Sequence, residues 1–338
     1  MSLVATLFQV LPVLALFGIG ALLRVAGILG PPAAEGIKRL VVGLCLPFVL
    51  FDAFFRLELG PRNALLAAAV FGACLAMVPA GRLCARALRL EGCYAPLLYE
   101  GFEAGMLGYG LFLGLAGDGG LPTFAACDLG QVLFVFSVLQ AQLLGRRGEG
   151  GGLRKAALGF IRSPVVVAIL LGLAAGLAAR AAAAGGSTGA AAFLGAASGG
   201  PRDGSLAGMG ASAFWRLVAT LKSLTGPLVA FVIGAGIGLD RRDLAFSIKV
   251  VASRMALLGL AAFVVGDLVA VRLLGFPPLY RLAVYSLFLL PPPFIIPVFM
   301  PEGAHDEARR ASTALSLHSL ASIVAVSLAF MATGGAAA

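Results

Sequence analysis

The sequence predicts an all-α polytopic membrane protein of ten transmembrane helices, arranged as two inverted repeats of five, with the fourth and ninth helices broken. Three observations predict it. Of 338 residues, 60% are hydrophobic and only 12% charged, against about 25% charged in soluble domains. The apolar residues fall into runs long enough to cross a bilayer. Two of those runs, the fourth and the ninth, carry helix breakers near their centres.

The elements follow in order. Segment 1 covers 3–23. It opens MSLVATLF, without a basic stretch before the apolar run, and reads as a spanning helix, not a cleaved signal peptide. Segments 2 to 5 cover 36–55, 63–88, 96–117 and 121–145. A basic, glycine-rich linker, RRGEGGGLRKAALGFIRS, fills 146–163. Segment 6 covers 164–184, and a Gly/Ser/Ala loop fills 185–212. Segments 7 to 10 cover 213–239, 246–274, 279–300 and 306–332. The linker divides a first repeat, 1–145, from a second, 164–338.

Lys and Arg set the orientation. They gather in the links after segments 1, 3, 5 and 7 and their flanks, Arg254 among them, and five lie in 146–163 alone. Basic loops face the cytoplasm, so both termini lie outside. The net charge of +9 is explained by these loops and gives no reason to expect nucleic acid. The five cysteines, at 45, 74, 84, 93 and 127, show no CxxC or metal spacing. Five is odd, so the second repeat enters the membrane inverted.

The repeats also correspond locally. LPFVLF at 46–51 in segment 2 matches GPLVAF at 226–231 in segment 7. GMLGYG at 105–110 in segment 4 matches PPPFIIP at 291–297 in segment 9. Paired interruptions in inverted repeats point to a transporter's binding site. Pro291, Pro292 and Pro293 cannot donate to the carbonyls of Leu287, Phe288 and Leu289. Those acceptors need water, a cation or a neighbouring donor. A second half-helix starting near Phe294 would aim free N–H groups at the midplane. Gly105, Gly108 and Gly110 would allow close backbone approach at the matching point.

Several stretches together resemble the auxin efflux carrier family. They are VLPVLALFGIGALLRVAGIL, LPFVLF, SPVVVAILLGLAAGL at 163–177, LTGPLVAFVIGAGI at 224–237, and LPPPFIIPVF followed by ASTALSLHS. The resemblance covers nearly the whole chain. It implies a ten-helix inverted repeat shared with bile-acid symporters and sodium/proton antiporters. It further implies that segments 4 and 9 cross at the site, an elevator mechanism and organic-anion substrates. The family often has Asn-x-Gly-Phe-x-Gly-x-Pro in segment 4. Here EAGMLGYG puts Glu103 at the asparagine and Gly110 at the proline. Glu103 would then meet a substrate carboxylate in its protonated form.

Ionisable residues inside spans are functional candidates. Glu103, with Glu100 one turn earlier, reads as a proton-coupling pair, and Glu103 is expected to exchange a proton during the cycle. Asp128 and Gln131 share a face of segment 5 and suit a cation or proton. His318 lies near the centre of segment 10, beside a stripe of Ser312, Ser316 and Ser319. Asp52 with Arg56 and Asp267 with Arg272 read as interfacial ion pairs, and Lys222 as a snorkelling lysine. The expected substrate-binding set is Glu103, Gly105, Gly108, Gly110, Pro291, Pro292, Pro293 and Phe294. The expected coupling set is Glu100, Glu103, Asp128, Gln131, His318 and Ser316.

The sequence therefore reads as a multi-pass secondary transporter of small organic anions in the plasma or inner membrane. Its alternatives are a sodium-coupled symporter of the bile-acid type and a cation/proton antiporter. An intramembrane enzyme or a sensor is the non-transport alternative. No HExxH, GxSxG or paired-aspartate motif supports an enzyme. The expected partners are a small organic anion, a proton or sodium ion and the lipid bilayer, with a homodimer left open. No cofactor or metal is expected.

Overall fold

A computed structural model of the chain describes residues 3–146, 163–198, 206–236, 238, 240–300 and 303–332. The regular secondary structure of the described residues is all helical, with no strands among them. The body of the basic linker, 147–162, and both chain ends lie outside them. Six helical stretches are long and apolar enough to cross a membrane: Pro61–Ala87, Ala95–Arg146, Pro164–Ala184, Gly208–Gly236, Arg241–Leu273 and His305–Ala332. The longest of these spans segments 4 and 5. Its chain direction is reset at Gly117, whose φ of 69° and ψ of −176° no ordinary residue adopts cheaply.

The remaining helices have local reasons for their shape. Segment 1 is the helix Leu3–Val25. Segment 2 runs as helix from Pro31 to Leu40, passes a π turn at Val41–Cys45 and continues over Leu46–Arg56. Pro47 follows that turn. It cannot donate to the carbonyl four residues back, and the wider turn relieves its ring. The 185–212 region is not simply a loop. Ser187 accepts the N–H of Ala190 and caps a helix over Thr188–Ala197. The next helix begins at Leu206. Residues 199–205 are outside the description.

The helices pack in two groups. Segments 1, 2, 6 and 7 form one, with segment 1 on segment 7 and segment 2 on segment 6. Segments 3, 4, 5, 8, 9 and 10 form the other. Small residues allow the tight pairs in the first group. A Cβ on Gly234 would sit 2.2 Å from the Phe17 carbonyl oxygen of segment 1. One on Gly176 would sit 2.3 Å from that of Phe55 in segment 2.

Of the two expected ion pairs, Asp52 with Arg56 forms and Asp267 with Arg272 does not, among the described residues. Asp52 is fully buried. It accepts Arg56 Nε–H at 2.6 Å and also binds the buried Lys222 ammonium of segment 7. Lys222, read from the sequence as a snorkelling lysine, is ion-paired at its head. Its second partner is Asp118 at 3.1 Å, so the pair ties segment 7 to segment 2 and to the turn at Gly117. Asp267 pairs with Arg281 at 3.5 Å and accepts the Tyr285 hydroxyl at 2.7 Å, in place of the expected Arg272. Segment 9 supplies those partners where it packs on segment 8.

A buried charge left without its partner typically costs about 3–5 kcal/mol. Lys222→Met and Asp52→Asn should each lower the melting temperature in detergent strongly. The double variant should melt above the value that the two single losses add up to, because neither charge is left orphaned. Strictly additive losses would show that the pair is not coupled.

Candidate functional site

The two broken segments meet. Segment 4 begins with a 3-10 turn at Ala95–Tyr99, leaves the helical path from Glu100 to Glu103, and resumes through the π turn Ala104–Gly108 into the helix starting at Tyr109. Segment 9 is helical over Pro278–Phe288, opens from Leu289 to Phe294, and then forms only the four-residue turn Ile295–Val298. That turn is too short to act as the half-helix with an aligned dipole that the sequence suggested.

The break in segment 4 lies one turn before the expected Gly105–Gly110. Gly101 supplies it, with φ of 64°. Gly105, Gly108 and Gly110 are helical and serve close packing. A Cβ on Gly108 would lie 2.7 Å from Leu290 Cδ1 of segment 9, and one on Gly110 3.0 Å from Val229 Cγ1 of segment 7. Gly105 faces Leu46 of segment 2 at ordinary contact distance.

The chain itself answers most of the polar groups that the breaks expose. Glu103 N–H donates to the Pro291 carbonyl at 2.8 Å. The Glu103 carboxylate accepts the N–H of Met106 on one oxygen at 3.2 Å, and the N–H of Phe294 on the other at 2.8 Å. One carboxylate thus receives a donor from each broken segment. Leu289 O accepts the Ser322 hydroxyl at 2.6 Å, and Leu287 O accepts the N–H of Leu290 at 3.2 Å. Two of the three carbonyls freed by the prolines, those of Leu287 and Leu289, thus meet a neighbouring donor.

Arg254 of segment 8 completes the junction. It is fully buried and donates to Leu98 O at 3.0 Å, Gly101 O at 2.6 Å and Leu290 O at 3.4 Å. Its guanidinium lies 5.6 Å from the centre of the Phe102 ring. The sequence reading counted Arg254 as a loop charge. Its burial removes it from that tally and makes it the residue that joins the two breaks. The signal was present, because an arginine eight residues into an apolar span has no solvent to reach.

Other candidates separate. Glu100 is fully buried, but its Oε2 accepts Gln142 Nε2–H at 2.6 Å from segment 5. Glu100 and Glu103 therefore face different partners and do not form a pair. Gln131 donates to Phe102 O at 2.6 Å, while Asp128, 2% exposed, has an Oδ1 with no well-formed hydrogen bond among the described residues. Both ring nitrogens of the buried His318 are likewise without one. Ser316 Oγ accepts the N–H of Gly238 at 3.3 Å.

A cavity flanks the junction on each side. One, about 280 Å³, is lined by Glu103, Asp128 and Gln131 with Leu46, Phe102 and Pro293 and the start of segment 6. The other, about 260 Å³, is lined by Lys38, Ser312, Ser316 and Ser319 with Met106, Phe294, Pro297 and residues of segment 7. Both lie between the two helix groups. Pro291 and Pro292 are buried behind them and line neither.

No protein-family model and no curated protein matches the chain.

The reading of the site therefore rests on its own chemistry. Two interrupted helical segments are clamped by a buried arginine. A carboxylate lies between them, and two small cavities of different polarity flank the junction.

Proposed function

We propose that this protein is a secondary active transporter of small organic anions. In this reading it is a member of the auxin efflux carrier family, with a ten-helix inverted repeat and elevator-type alternating access. The observation that carries the proposal is the Glu103 carboxylate held by one N–H from each broken segment. It supports the reading because backbone donors from both broken segments converge on one carboxylate at the junction. The inverted repeat is supported by the two tight interfaces, segment 1 on segment 7 and segment 6 on segment 2, which an inverted repeat would interchange. The elevator is supported by the grouping of segments 1, 2, 6 and 7 against the rest, with both cavities at the boundary. The cell membrane, with both termini outside, remains the reading from the basic loops.

One observation favours cation coupling within the same transporter. The cavity holding Glu103, Asp128 and Gln131 has, beside the Tyr109 hydroxyl, a buried Asp128 oxygen with no well-formed hydrogen bond among the described residues, which suits a proton or sodium ion. Purified protein in proteoliposomes should take up at least one of acetate, malonate, malate and indole-3-acetate faster than protein-free liposomes. An imposed proton gradient or membrane potential should raise the rate. Flux of cations alone would replace this reading with the antiporter alternative. No flux of either kind would reject transport.

A further inference from the structure

The two cavities beside the junction differ in charge, and that difference divides their cargo. The cavity of Glu103, Asp128 and Gln131 contains two acids and no base. In a low-dielectric wall, such a cavity repels an anion at short range. The cavity on the other side is lined, among the described residues, by Lys38 and three serines and by no acid, with Glu35 paired loosely to Lys38 outside the lining. Resting on the organic-anion reading above, we propose that the transported carboxylate binds in the Lys38 cavity, with the Lys38 ammonium as counter-charge and the Ser316 hydroxyl as second donor.

The serines are not equivalent. Ser312 donates to Ala308 O at 2.8 Å and Ser319 to Leu315 O at 2.8 Å, so their protons are committed to the helix. Ser316 accepts from Gly238 N–H and donates to no acceptor among the described residues, which leaves its proton for the cavity. Lys38 is held loosely, 3.7 Å from Glu35, with 42% of its side chain exposed. It can turn toward a ligand without breaking a buried pair. Lys38, Val232 and Gly236 also line a further cavity of about 220 Å³ with Arg24, Leu29 and Glu35. The two cavities share these residues, which gives an anion a basic approach from the end of segment 2. Met106 and Phe294, one from each broken segment, supply apolar walls. The ligand class is a small carboxylate with a compact apolar body, bound on the opposite side of the junction from Asp128.

The test uses the full chain in proteoliposomes, with KM and maximal rate measured for acetate, malonate, malate and indole-3-acetate. Lys38→Gln should raise KM for the carried anion about tenfold or more, the effect expected on losing a charged hydrogen-bond donor. Lys38→Arg should restore it to within a few-fold, and Ser316→Ala should fall between. Arg39→Gln removes the same charge one residue away, on a side chain 81% exposed that lines neither cavity. It should leave KM unchanged. A melting temperature for each variant guards against loss of fold. Wild-type KM in Lys38→Gln, or a fall in maximal rate alone, overturns the assignment while leaving the anion reading intact. Equal KM increases in Lys38→Gln and Arg39→Gln overturn it too, as a general surface-charge effect. A wild type that carries none of the four anions removes the anion reading itself, and this inference with it.

Discussion

Arg254→Met is expected to be among the most destabilising single substitutions in the protein. The guanidinium donates to Leu98 O and Gly101 O of segment 4 and to Leu290 O of segment 9. Methionine fills similar space but returns no donor. Each buried carbonyl left without one costs about 1–3 kcal/mol, and at membrane depth no water replaces it. The sum is comparable to a large part of a domain's stability, commonly about 5–15 kcal/mol. The variant should accumulate poorly, and any recovered protein should melt far below wild type in detergent. Arg254→Lys should be intermediate, because one ammonium cannot span the three carbonyls that the planar fork reaches. A wild-type melting temperature in Arg254→Met would mean that the two breaks hold each other without the clamp.

The contrast between Arg254 and the prolines explains what was legible in the sequence. Pro291–Pro293 cannot continue a helix whatever surrounds them, so the break in segment 9 could be read directly. The break in segment 4 was read at the glycine cluster, although it sits at Gly101. Glycine permits an unusual backbone without requiring it, and only packing against segment 9 selects which glycine adopts it. Arg56 as a partner of Asp52 was legible from its spacing of four. Lys222 as the other partner was not, because nothing local relates residues 170 positions apart. The burial of Arg254 was legible from its place in an apolar span, but its partners were not, because all three acceptors are main-chain atoms of other segments. The charges of the two cavities were partly visible in Asp128, Gln131 and Ser316. Nothing local marks Lys38, near the start of segment 2, because its place beside the junction depends on how that segment packs against segments 7 and 10.

Removing the carboxylate of Glu103 should open the junction to carboxylates from solution. In the native chain its two oxygens accept the N–H groups of Met106 and Phe294, 191 residues from Glu103 in the second case. The side chain therefore occupies the place that a free carboxylate would take. The earlier expectation, a protonated Glu103 donating to the substrate, meets a different geometry, because the carboxylate is turned toward backbone donors. Glu103→Ala leaves both N–H groups without an acceptor, at a cost of about 1–3 kcal/mol each. That variant should melt lower than wild type. Added formate or acetate, small enough to enter the vacated space, should raise its melting temperature in a concentration-dependent way, as a ligand that binds only the folded state must. Wild type should show a much smaller response, since its own side chain competes at high effective concentration. Glu103→Gln should lie between the two. Its amide oxygen can still accept one N–H, while its NH₂ group faces the other donor and cannot. If Glu103 also exchanges a proton, protonation and carboxylate binding must favour each other to the same degree in free energy, and Glu103→Gln should lose the pH dependence of substrate affinity. The decisive comparison is the acetate response of Glu103→Ala against wild type. Equal responses would show that the Met106 and Phe294 donors do not receive external carboxylates, and that Glu103 serves the fold of the junction alone.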